Sequence, residues 1–167
     1  MKVQNIIITE EMLASKNKRF LNYLIDIITQ YVIMFVLGFA SVYIGDYLGY
    51  YEMGQFFTEL STIEDLTISY LLLLLYYFTF ESLTFRSLGK YATNTKVIMQ
   101  NGEEPTPKDI LIRTLCRLIP FDGLSFLGVK GKGWHDSFSK TYVVDIAKFE
   151  AGQLLATEID QIGQWTE

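Results

Sequence analysis

The chain has 167 residues, enough for one domain; half are hydrophobic and 15% aromatic, a balance that leans toward a membrane protein. A net charge of −5 with no basic stripe excludes nucleic acid as a partner. A single cysteine, Cys116, excludes an internal disulfide framework and a cysteine-based zinc site; it reads as a small apolar residue on a helix.

The first nineteen residues mix acids and bases, and no small-residue cleavage site follows the apolar run behind them. A cleavable signal is therefore not expected, and the first hydrophobic segment reads as its own insertion signal. Within this leader, "QNIIIT" is a candidate strand. From Phe20 to Ile44 the chain is apolar for 25 residues, roughly 37 Å as a helix. A second apolar segment, Leu66 to Phe85, has 20 residues, roughly 30 Å and close to the hydrocarbon thickness. Two such segments in so short a chain favour membrane insertion over a buried core. All 14 Lys and Arg lie before Phe20 or after Phe85, and the connecting loop carries Asp46, Glu52, Glu59, Glu64 and Asp65. Basic flanks stay cytoplasmic, which predicts a hairpin with both termini inside and an acidic loop outside.

The stretch "TNTKVIMQNGEE" alternates and then turns at Asn101-Gly102, a strand and hairpin signal; "KTYVVDI" reads as a second short strand. Strands are expected over about 93–100 and 141–146, joined in a small cytoplasmic sheet with "QNIIIT" as the candidate third strand. Between them, residues 107–129 hold an apolar segment interrupted by Arg113, Arg117 and Asp122 and broken by Pro120 and Gly123. Each central charge opposes insertion by roughly 2.5–3.5 kcal/mol. An amphipathic or re-entrant helix at the cytoplasmic surface is expected, with a third span as the alternative. Thr106, Pro107 and Asp109 supply its capping signal. The fold class is thus a membrane α-helical protein: a two-span hairpin, this amphipathic or re-entrant helix and a small β element over residues 1–146, then an acidic tail over 147–167.

Ionisable residues within the spans carry the functional signal. Arg19, Asn22, Asp26, Thr29 and Gln30 fall near one face of the first helix, and Tyr70, Tyr77, Glu81 and Thr84 make a comparable face on the second. By helical rise, Asp26 lies about 9 Å in from Phe20 and Glu81 about 6 Å in from Phe85, so an antiparallel hairpin sets them at one level. Guanidinium groups are the natural counter-ions. A buried cluster of Asp26, Glu81, Arg113 and Arg117, with Arg19 at its edge, is expected. It reads either as an ion or proton pathway or as a clamp tying the amphipathic helix to the hairpin. Two helices cannot surround a path, so transport requires an oligomer or another membrane protein. Ser41, Gly45 and Gly49 form a small-xxx-small run suited to close helix packing.

Together these residues resemble the RDD family of membrane proteins. "RFLNYLID" supplies an arginine, Arg19, at the start of the first span and an aspartate, Asp26, inside it. "WHDSFSKTYVV" is similar to the family's His-Asp element, mapping His135 and Asp136, with Thr141 in the strand that follows. Between them lie the Gly89-Lys90 pair and the arginines Arg113 and Arg117. The sequence departs from the common pattern in "RSLGK" and in Ser137 after His-Asp. The resemblance covers about residues 5–146 and implies a bacterial integral membrane protein, placed in the inner membrane. It also implies transport of undefined ligands, some relatives resembling cation/proton antiporters.

Other motifs fall away. "RSLGKYAT" is no P-loop, since Thr84 replaces the first glycine and Tyr91 the magnesium-binding hydroxyl. His135 is the sole histidine, so His135-Asp136 lacks a second metal ligand. No nucleophile elbow frames Ser137 or Ser139; for Asp136, capping a turn or pairing with an arginine is expected. The runs "YY" and "FTF" read as interface and packing residues. No catalytic residue, metal or cofactor is expected, and the partners are the lipid bilayer and a second copy or other membrane protein. Transport and a non-transporting adaptor role both stay open.

Overall fold

A computed structural model describes residues 8–128 and 132–164. Helix α1 (Lys16–Leu48) opens on Ser15, whose side chain accepts the Lys18 N–H at 3.3 Å, and closes on Gly49 at φ 74°. Glycine suits that left-handed closure because it has no Cβ to clash. At 33 residues the helix is about 50 Å long. Helix α2 (Tyr51–Thr58) folds back on its far end: a Cβ on Gly54 would stand 3.2 Å from the Val42 Cα. Ser41 and Gly45 are buried on the end of α1 that α2 packs against, so part of the small-residue run serves the chain's own connecting helix. Helix α3 (Thr62–Thr84) starts at a capping box between Ser61 and Glu64.

Helices α1 and α3 are long and apolar enough to cross a membrane, yet their most apolar stretches are only 6% and 17% buried. Phe35 is 73% and Phe39 65% exposed. A core helix of a water-soluble domain would hide such side chains. So large an apolar surface fits contact with lipid.

The remaining elements gather at the end formed by the start of α1 and the close of α3. Helix α4 (Leu88–Thr93) crosses α1 closely. Strand β1 (Thr95–Met99) pairs antiparallel with β2 (Thr141–Asp145), from Thr95 opposite Asp145 to Met99 opposite Thr141. Helix α5 (Pro107–Cys116), a 3-10 turn (Asp122–Leu127) and helix α6 (Trp134–Phe138) lie between the strands in sequence, and α7 (Ile146–Gln164) follows β2. Ile98, Val144 and Phe149 form a small core with Met12, Leu13 and Tyr142 packed against it.

Several expectations change. Asn101-Gly102 does form a tight turn, with Gly102 at φ 84° and its N–H on the Met99 carbonyl at 3.0 Å. No local hairpin follows; β1 pairs instead with β2, some forty residues later, in the small sheet expected between these two strands. Of the candidate strand "QNIIIT", residues up to 7 lie outside the described residues; Leu13 instead makes a single bridge to Val144. The segment after Thr106 is helical for ten residues, about 15 Å and half the hydrocarbon thickness. Its capping box between Thr106 and Asp109 forms as the sequence signals.

Candidate functional site

Asp26 projects from α1 into the corner where α3 ends and α4 begins. Its Oδ1 accepts the Tyr76 hydroxyl at 2.7 Å and the Gly89 backbone N–H at 2.8 Å. Its Oδ2 accepts the hydroxyls of Ser87 at 2.6 Å and Tyr77 at 3.2 Å. The carboxylate is 1% exposed, so each of these bonds replaces one lost to water. The expected guanidinium partner is not what holds it: hydroxyls and one backbone amide do. Tyr77, expected on the polar face of α3, and Tyr76, part of a run read as packing residues, are both buried donors to this carboxylate. The approach of α4 depends on Gly89. A Cβ there would sit 2.8 Å from the Asn22 Cα, inside the closest distance atoms tolerate.

Glu81 lies one step away and is fully buried. Its Oε1 accepts Lys90 Nζ at 2.8 Å and Arg117 Nη2 at 2.9 Å, and its Oε2 accepts Arg113 Nε at 3.0 Å. The Ser87 hydroxyl connects the two carboxylates, since it also accepts Lys90 Nζ at 3.3 Å. Burial pulls the Lys90 ammonium below the usual lysine range, and Glu81 opposes that pull.

Arg113 carries the network onward. Its Nη1 donates to Asp136 Oδ1 and to the Thr141 hydroxyl, the latter at 2.7 Å. Asp136 Oδ2 accepts Arg19 Nη2 and the Gly133 N–H, the latter at 3.0 Å, so one carboxylate caps α6 and joins α1 to α5. Burial alone would raise the Asp136 carboxyl. Arg19 and Arg113, with His135 beside them, outweigh burial and hold it well below the usual carboxylate range. Burial would likewise lower the Arg113 guanidinium, but Asp136 and Glu81 raise it above its ordinary value. Arg19 therefore joins the cluster at its edge, through Asp136, a residue the expected cluster did not include.

His135 closes the far side. Its Nδ1 lies 2.5 Å from Asp122 Oδ2 and its backbone N–H donates to Asp122 Oδ1 at 2.9 Å. Burial pushes the imidazole down to about 4 despite the neighbouring Asp136, so it is neutral near pH 7. Among the described residues no group of three or more His, Cys, Asp and Glu could hold a metal.

A cavity of about 530 Å³ opens between α1 and α3 above this network. Arg19, Lys90, Arg113 and Arg117 line its inner end, and Ile27, Met34, Leu66 and Leu73 its length. The structure thus brings Arg19, Glu81, Arg113, Arg117, Lys90 and Asp136 into one connected set, with Asp26 attached through Ser87. Reading the spans alone missed Ser87, Tyr76 and Asp122. Ser87 carried a legible signal, standing three residues before Lys90 as an N-cap. Asp122 carried none, because its partner is a neutral histidine thirteen residues away.

The chain matches the family model described as RDD family over residues 13–149. No curated protein and no solved structure matches it. That match covers most of the sequence and spans every residue of the charge network from Arg19 to Thr141: the chain belongs to the RDD family, a family of membrane proteins.

Proposed function

We propose that this chain is a multi-pass protein of the bacterial inner membrane with both termini cytoplasmic, and that it moves a small ligand or cation across the bilayer as an oligomer. The observation that carries this reading is the cavity between the two apolar helices, which ends on ionised side chains at its inner end. Ionisable groups at membrane depth mark substrate routes. The basic residues support the orientation, since none lies between Phe20 and Phe85. In this scheme Asp26 stands at the polar end of the route, Glu81 lies behind it with its charge offset by Lys90, Arg113 and Arg117, and no covalent chemistry occurs.

One observation favours the rival, a non-transporting adaptor whose ion network is a clamp. All oxygens of Asp26, Glu81 and Asp136 already accept hydrogen bonds, which leaves none idle for a passing cation. Reconstituted vesicles separate the two. Cation-driven pH change lost in Asp26→Asn and kept in Lys148→Ala supports transport. The absence of flux with every common cation and small anion, together with stable co-purification of a second protein, supports the adaptor.

A further inference from the structure

We propose that the cavity between α1 and α3 binds an anionic amphiphile, its carboxylate or phosphate headgroup on Arg117 and its acyl chain along the groove. The proposal rests on the reading that this cavity takes a ligand, and names the class. Three observations converge on it.

The first is an unpartnered donor. Arg117 lines the cavity and its side chain is 9% exposed. Nη2 is committed to Glu81, and the guanidinium carbon stands 3.6 Å over the Tyr77 ring. Nη1 is buried with no hydrogen-bond partner among the described residues. A buried charged donor without an acceptor is costly, and an oxyanion is the acceptor it suits best.

The second is the sign of what faces the cavity. Arg19, Lys90, Arg113 and Arg117 line it, whereas their carboxylate partners Glu81 and Asp136 stand behind them and do not. Asp26 and Asp122 also line it, but both oxygens of each are taken by protein donors. Asp65 marks the opposite end, where an anion would be repelled. The headgroup therefore belongs at the inner end.

The third is length. From Asp26 to Met34 the α1 wall runs about 12 Å, lined by Ile27 and Met34 with Leu66 and Leu73 from α3, and interrupted by the polar groups of Gln30 and Ser69. A free inorganic anion would leave that apolar stretch empty; an acyl chain fills it.

The test uses the full chain in neutral maltoside micelles and a fluorescent polyene fatty acid as probe, read by saturable emission. Wild type should bind the acid, and the alcohol of the same chain should bind at least roughly tenfold more weakly. Inorganic phosphate at tens of millimolar should not displace it. Arg117→Lys keeps a cation for Glu81 but removes the idle nitrogen, and should weaken the acid by roughly tenfold. Met34→Trp, which touches no ion pair, should abolish saturable binding at an unchanged unfolding midpoint. Equal binding of acid and alcohol, displacement by phosphate, or wild-type affinity in both variants overturns the proposal. Equilibrium binding is independent of flux: saturable binding without transport supports this inference and removes the transport reading. If Met34→Trp stops flux although the acid never bound, the cavity reading stands and the amphiphile is overturned.

Discussion

Arg113 on α5 donates from Nε to Glu81 Oε2 on α3 at 3.0 Å, and neither side chain is more than 1% exposed. The same guanidinium reaches Asp136 through Nη1, so one residue bridges two buried carboxylates from different parts of the chain. Removing it takes a cation from each, leaving Glu81 on Lys90 and Arg117 and Asp136 on Arg19. Arg113→Met should lower stability by about 3–5 kcal/mol. Arg117→Met should cost less, because Glu81 retains Lys90 and Arg113. Thermal unfolding in detergent reads the difference; equal midpoints for the two variants would remove Arg113 from the centre of the network.

Two glycines make a matched steric pair. A Cβ on Gly89 meets the Asn22 backbone, whereas a Cβ on Gly38 meets nothing within 4 Å. Gly89→Ala should push α4 off α1, release the N–H that Asp26 accepts, and cost about 1–3 kcal/mol. Gly38→Ala should be neutral or slightly stabilising, by up to about 1 kcal/mol. Unfolding midpoints of both variants in one detergent check the contrast.

The Tyr76 hydroxyl works twice, donating to Asp26 and accepting the Leu88 N–H at 3.0 Å. Tyr76→Phe leaves both groups short and should cost about 1–3 kcal/mol. Tyr70→Phe, at a residue 43% exposed, should change stability by less than about 0.5 kcal/mol. A midpoint for Tyr76→Phe within error of wild type would refute the role given to that hydroxyl.

His135 sets an acid limit. Its folded value of about 4 lies below the ordinary 6.5 because of burial, so the unfolded chain binds the extra proton first. Stability from this group is complete above pH 6.5 and is lost progressively down to about pH 4, by up to about 3 kcal/mol. Asp122, Asp136, Arg113 and Arg117 all face or influence the ring; the Asp136 carboxyl itself titrates lower and adds its loss only below pH 3.8. The slope of unfolding midpoint against pH between 6.5 and 4 should flatten in His135→Gln. An unchanged slope assigns the loss to other groups.

Orientation is testable in Cys116→Ser cells. Glu52→Cys, on the connecting helix α2, should react with an impermeant maleimide added outside. Lys148→Cys, on α7, should react only after the membrane is opened. The reverse pattern would invert the assignment from basic residues.

Much of this architecture is written in short-range patterns. The two apolar runs, the capping signal at Thr106 and Asp109, and the strand at Thr141–Asp145 each depend on neighbours within a few residues, and each appears where the pattern places it. The pairing of charges is different. Helical spacing puts Asp26 and Glu81 on facing surfaces, yet says nothing of rotation about each axis or of what α4 brings in. Asp26 took hydroxyls because Ser87 and Gly89 reach it first across a backbone contact with α1, leaving the arginines to Glu81 and Asp136. The turn at Asn101-Gly102 closes locally, whereas β1 takes its partner from β2, beyond α5 and α6 in the chain.

Among the described residues, every cation on Glu81 comes later in the chain than Glu81 itself: Lys90, Arg113 and Arg117. In the proposed topology, synthesis from the N-terminus brings the second apolar helix to the bilayer before its compensating charges have left the ribosome. A nascent chain released before Arg113 is incomplete in energy as well as in length. Such fragments should be cleared faster than ones carrying Glu81→Gln, a difference that pulse-chase turnover would record.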